Sequence, residues 1–247
     1  MRSAIRSTGG VRASAGVRAL EGSGILLLSG ILFMGMASCC GANVAPIAPN
    51  AVDMNAARWN LLYGAATPPH PAASEPGWQF DIPAAPGSVH YVEVPFVATE
   101  DLTGKTLTIT FRMVSNEPLY NANVETGESG PPSFHLFIEH LNDDFTNQYY
   151  RWWCPSGGYT LGTADNQTIT LSCPLTYTSW SSVYNVVDEA QFADTLKNLG
   201  NVGVTFGGTG GWGHGVNLLG GSAQFQVLDA SISSGSVPPV VSVPSTP

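Results

Sequence analysis

Between residues 89 and 232, apolar and polar side chains alternate with a period of two. In KTLTITFRMV (105–114), Leu107, Ile109, Phe111 and Met113 fall on one side, and Thr106, Thr108, Thr110 and Arg112 on the other. This is the pattern of a half-buried strand. FHLFIE (134–139) places Phe134, Leu136 and Ile138 on one face and His135, Phe137 and Glu139 on the opposite one. VHYVEVPFV (89–97) alternates around Val92, Val94 and Phe96, and Tyr149 to Trp153 reads as an aromatic strand. TITLS (168–172), VGVTF (202–206) and AQFQVL (223–228), continued by 230–232, complete the set. Turn residues separate the runs at 102–104, 128–132, 157–158 and 207–215. One segment, 188–200, has a helical period, with Phe192, Leu196 and Leu199 on one face, acidic residues at its start and Asn198 and Gly200 at its end. About seven to nine strands with one short helix predict an all-β fold, an antiparallel β-sandwich of the jelly-roll type.

Composition narrows the function classes. Of 247 residues only 11% are charged and the formal net charge is −9, where about a quarter is usual. A basic patch for nucleic acid is absent from such a balance, and a charged helical bundle needs more Glu, Lys and Arg.

The beginning of the chain differs from the rest. Arg2, Arg6, Arg12 and Arg18 precede an apolar run of 14 residues, Gly24 to Ala37. That run is shorter than the roughly 20 residues of a membrane-spanning helix, and a basic region followed by a short apolar one is a secretory signal. The run ends in Met36-Ala37-Ser38-Cys39-Cys40, which resembles a bacterial lipobox and implies cleavage of 1–38 and lipidation of Cys39. A plain secretory signal cut nearby and an uncleaved anchor are the alternatives. Cleavage leaves 5 basic and 17 acidic residues, a net charge of −12. The expected location is the cell envelope, held to a membrane through the lipid and repelling nucleic acid.

Residues 39–76, rich in Ala and Pro, read as a tether, interrupted by an apolar patch at 58–63 that can dock or form a first strand. The folded domain then spans 77–232, and 233–247 is a low-complexity tail expected to be disordered. Export permits a disulfide between Cys154 and Cys173, whose separation of 19 suits two neighbouring strands. Neither cysteine lies at zinc-binding spacing.

The order of three stretches resembles the galactose-binding-like, jelly-roll carbohydrate-binding modules: 101–112 (DLTGKTLTITFR); Trp180, the helix and Val202 to Phe206; and 221–229 (GSAQFQVLD). The resemblance covers about 90–232 and belongs to a superfold with many functions. It implies a glycan or cell-surface partner. Modules of this type often hold a structural calcium, so it also implies a calcium site, with Asp229 at the closing-strand aspartate and Asp81 and Glu100 from the opening half.

Sugar recognition uses flat aromatic faces with planar polar groups. Strand alternation groups Tyr149, Arg151 and Trp153, which with Arg112, His135, Phe137 and Glu139 form a candidate platform, unless both faces are simply packed. Trp212 and His214, in a glycine-rich loop, are further candidate ligand contacts. No nucleophile elbow, zinc-protease or P-loop motif is present. Glu139 or Glu93 is conceivable as an acid or base for a polysaccharide hydrolase or lyase, but no spacing marks them. The leading expectation is a non-catalytic glycan-binding surface lipoprotein, ahead of a structural or protein-binding one.

Overall fold

The computed structural model describes residues 46, 48–62, 68–85, 89–122, 131–183, 186–208 and 211–234. The signal segment, Cys39 and the tail from 235 lie outside the described residues. The strands are β1 (Asn60–Leu62), β2 (Ala72–Ala73), β3 (Trp78–Asp81), β4 (Tyr91–Pro95), β5 (Thr106–Ala122), β6 (Ser133–His140), β7 (Arg151–Thr160), β8 (Thr168–Pro174), β9 (Ser181–Ser182), β10 (Leu199–Gly208), β11 (Gly211–Trp212) and β12 (Val216–Ser233). The single α-helix among the described residues, α1 (Glu189–Lys197), starts at Asp188, whose carboxylate accepts the Gln191 N–H at 3.0 Å.

Two antiparallel sheets face each other. One runs β1-β4-β10-β6-β7-β9, with β11 beside β10, and the other runs β2-β3-β12-β5-β8. The inner strands β4-β10-β6-β7 and β3-β12-β5-β8 have the interleaved order of a jelly roll. The fold is therefore the all-β sandwich that the alternation predicts. Leu107, Ile109, Phe111 and Met113 all point into the core, as do Phe134, Leu136 and Ile138. Around Phe134 the rings of Phe111, Phe206 and Phe225 lie with centroids 4.7, 5.3 and 5.1 Å away, at which such rings attract beyond their buried area.

Two boundaries and the placement of the disulfide differ from expectation. The fold begins well before residue 77. Val52, Ala56, Trp59 and Leu61 are core residues, the Trp59 ring lies 4.5 Å from that of Trp78, and Asn50 N–H donates to Val97 O. An alanine- and proline-rich stretch thus carries a few large anchors rather than acting as a spacer throughout. β5 and β12 are longer than their apolar alternation, because they pair from Thr106↔Ser233 out to Ala122↔Val216 through bulges near Gly220. Cys154 and Cys173 form a disulfide, but between β7 and β8, strands of opposite sheets, so the bond ties the two layers together.

Candidate functional site

The strand register of the first sheet lines up side chains on the face turned away from the core. One row is Arg151, Glu139 and Asn201 on β7, β6 and β10. The next is Trp153, Phe137, Gly203 and Glu93 on β7, β6, β10 and β4. A third holds His135, Thr205, Tyr91 and Leu62 on β6, β10, β4 and β1. Gly203 has no alternative in its row: a Cβ there would stand 2.0 Å from the Val92 carbonyl oxygen.

This face is covered. The segment from Leu141 to Tyr150 folds back over it, and Tyr91, Phe137 and Trp153 form a second small apolar cluster with Phe145, Leu62 and Val183. Phe137 is 0% and Trp153 6% exposed, so neither offers a ring to a sugar. On the other flank the glycine-rich loop closes in, where a Cβ on Gly213 (φ +89°) would lie 2.3 Å from the Tyr91 hydroxyl.

Beneath the cover lies a buried polar network. Glu93 and Glu139, 5% and 4% exposed, are hydrogen-bonded to each other across β10. Asn201 Nδ2 donates to Glu139 Oε2 at 2.5 Å, and Glu139 also contacts the Asp143 carboxyl. Arg151 Nε faces Asp143 Oδ2 at 2.8 Å, its Nη2 donates to Phe145 O at 3.1 Å, and its guanidinium lies 4.5 Å from the Phe145 ring centre. The same guanidinium meets the Tyr91 hydroxyl. Glu93 Oε2 is buried without a hydrogen-bond partner.

Burial dominates the electrostatics. It pushes the Glu93 carboxyl up to about 9, reinforced by the Glu139 charge, so Glu93 holds a proton at neutral pH. Burial also lifts Glu139 to about 7, against the pull of the Asn201 hydrogen bond. Tyr91 is raised to about 12, again by burial and against the Arg151 charge. His135, whose Nδ1 lies 3.2 Å from Cys154 O, is lowered to about 4 by desolvation.

The solvent side of the cover forms an open depression of about 470 Å³ lined by Phe145, Thr146, Asn147, Gln148, Tyr149, Arg151 and Val183. Its lining holds two aromatic residues, two amides, the hydroxyls of Thr146 and Tyr149 and a guanidinium, and no carboxylate among the described residues. Its floor is fixed by backbone contacts: Val183 N–H donates to Gln148 O, and Trp152 Nε1 and Thr195 Oγ1 donate to Tyr149 O.

Of the predicted platform, the structure brings together His135, Phe137, Glu139, Arg151 and Trp153 on one face, and all but Arg151 are buried there. Tyr149 precedes β7 and lies half-buried at the depression. Arg112 belongs to the other sheet, on its outer face, and donates to Gln226 Oε1 at 3.1 and 2.8 Å. It cannot join the platform, because β5 and β6 are consecutive in the chain but lie in opposite sheets. Trp212 pairs through its backbone with Gly207 in β11, and half-buried His214 follows it. The calcium candidates are not gathered: Asp81 accepts from Gln224, Asp229 pairs with Thr110 five residues further along β12, and Glu100 is ion-paired with Lys105 at 2.6 Å. Among the described residues no group of three or more His, Cys, Asp or Glu is arranged to hold a metal ion. The alternation passed over Tyr91, Asn201, Asp143, Phe145, Asn147 and Gln148. Only Tyr91 carries a signal, since it alternates with the core residue Val92.

No family model matches the chain, and no curated protein matches it. Among solved structures, one described as a xylan-binding module CBM15 is similar over 72% of this chain and 94% of its own length, with 12% identity and a TM-score of 0.40. A likeness that distant says nothing about what this chain binds.

Proposed function

We propose that the chain is an exported, lipid-anchored β-sandwich protein that binds a neutral glycan without cleaving it, through the depression lined by Phe145 to Tyr149, Arg151 and Val183. The observation that carries this reading is the lining itself. The Tyr149 ring supplies an apolar face for sugar C–H groups beside the half-buried Phe145, and Thr146, Asn147, Gln148 and Arg151 supply planar or small polar groups for hydroxyls. The volume of about 470 Å³ lies in the range of small-ligand sites, roughly 300–1,000 Å³. The acidic character of the chain disfavours anionic polymers. Binding is favoured over hydrolysis because glycoside cleavage places two carboxyls about 5–9.5 Å apart around the substrate. Here Glu93 and Glu139 touch each other and lie under the cover, and none of the described residues lining the depression is a carboxylate. Export and anchoring rest on the basic and apolar leader and on Cys39.

The test is a glycan array probed with the full chain solubilised in detergent, alongside Tyr149→Ala and Gln148→Ala. Both replacements keep the backbone contacts of the segment. Retention on a neutral glycan, weakened at least about tenfold by Tyr149→Ala, is expected, a tenfold change being about 1.4 kcal/mol. Retention that both variants leave unchanged, or none at all, overturns the reading.

A further inference from the structure

We propose that the buried carboxyl cluster is a pH-operated latch on this subsite, holding residues 143–148 seated at acid and neutral pH and letting them go as the medium turns alkaline. The biological meaning rests on the glycan reading above; the latch itself is measurable without any glycan.

The geometry comes first. Asp143 is the foot of the covering segment, with its side chain 0% exposed, and Arg151 at the start of β7 is its only counter-charge among the described residues. Directly behind stand Glu139 and Glu93. The titratable and charged groups facing the cluster are few: Tyr91 and Glu93 from β4, Glu139 from β6 with His135 two residues away, Arg151 from β7 and Asp143 from the segment. β10 adds Asn201 and Thr205, and β1 adds Asn60 and Leu62, none of which is charged. Asp144 is exposed and turned to Thr146.

With Glu93 and Glu139 each holding a proton, one guanidinium balances one carboxylate, that of Asp143. Loss of both protons leaves three carboxylates around that guanidinium, in a site where Glu93 Oε2 already lacks a donor. Moving Asp143 outward and letting water in relieves this. The ends of the segment have other anchors: Leu141 N–H donates to Asn198 O, His140 N–H to Tyr150 O, Asn142 N–H to His140 Nδ1 at 3.0 Å, and the His140 ring stacks on Tyr150 at 4.1 Å. Release is thus confined to the middle; it parts the Val183 N–H to Gln148 O bond and draws Phe145 and Asn147 out of the depression.

Amide hydrogen exchange on the full chain in detergent tests this between pH 7 and 9. If the seated state holds the Glu93 proton and the released state does not, the opening constant rises about tenfold per pH unit. Exchange at 143–148 then climbs about a hundredfold per unit, hydroxide catalysis supplying the other factor of about ten. Amides of α1 that open by local fluctuation, without unseating the cluster, climb only about tenfold and serve as the internal reference, whereas β5 and β12, which open by global unfolding, share the linkage. Glu93→Gln keeps the hydrogen bond and cannot ionise, so its segment is expected to follow the reference, and Glu93→Leu, which cannot ionise either, serves in its place if that variant fails to fold. A tenfold slope for 143–148 in the unsubstituted chain overturns the latch, as does a steep slope that persists in the Glu93 variant or is shared by α1. A steep local slope with a silent glycan array leaves the latch standing and removes the ligand reading. Glycan binding that is equal at pH 6 and 10, with the shallow slope, removes the latch alone.

Discussion

Replacing Arg151 with methionine leaves Asp143 as a fully shielded carboxylate without a counter-charge. Breaking a buried ion pair from one side costs about 3–5 kcal/mol. The lost hydrogen bond to Phe145 O adds about 1 kcal/mol at most, and the methionine stem keeps part of the packing on Phe145. The expected loss is therefore about 3–5 kcal/mol at pH 7, above the usual range for a single replacement. Adding Asp143→Asn removes the stranded charge and is expected to restore more than half of the loss. The assay is urea unfolding followed by tryptophan fluorescence, with a shifted midpoint at constant m. A loss under about 1 kcal/mol at pH 7, or no recovery in the double variant, refutes the reasoning that this pair holds the cover.

Glu93 and Glu139 are protonated in the folded state at pH values where the unfolded chain has ionised them. The folded state binds the extra protons, so stability declines as pH rises from about 4.5 and stops declining on this account above about 9. Urea midpoints at pH 5, 7 and 9.5 are expected to fall in that order and to flatten in Glu93→Gln; a rise from pH 5 to 9 contradicts the assignment. Removing the disulfide with Cys154→Ala and Cys173→Ala is expected to cost roughly 3 kcal/mol for a loop of this length, measured against the oxidised parent, and an unchanged midpoint argues against the link. Trp59→Ala is expected to cost about 3–5 kcal/mol, as for a large core side chain, whereas a tether residue would cost nothing.

The core-facing half of each strand was legible because burial on one face writes a period of two: Leu107 to Met113 and Phe134 to Ile138 are where alternation puts them. The other face was not, because alternation states which residues share a side and not what covers that side. His135, Phe137 and Glu139 do share one, but NDDFTNQ (142–148) looks like a solvated turn and gives no sign that Phe145 and Asp143 fold back onto the sheet. Arg112 was grouped with residues of the wrong sheet because a jelly roll sends chain neighbours β5 and β6 to opposite layers, a long-range pairing that local pattern does not encode. The patch at 58–63, which the sequence marks, holds β1, but the rest of the early fold is hidden for a compositional reason. Ala, Pro and Asn dominate 48–76, and the signal that they belong to the fold is carried by single side chains such as Val52 and Trp59. The buried carboxyl pair had half a signal, since Glu93 and Glu139 each sit opposite core residues in their strands, but their meeting across β10 depends on register alone.

The central claim is a location: glycan at the depression over the first sheet. The most direct measurement is the change in backbone amide NMR shifts when the neutral oligosaccharide best retained on the array is added to the full chain in detergent micelles. Shifts centred on 145–151 and Val183, absent in Tyr149→Ala, are the predicted result. Shifts centred instead on the outer face of the second sheet, around Arg112 and Gln226, or an unperturbed spectrum, contradict it.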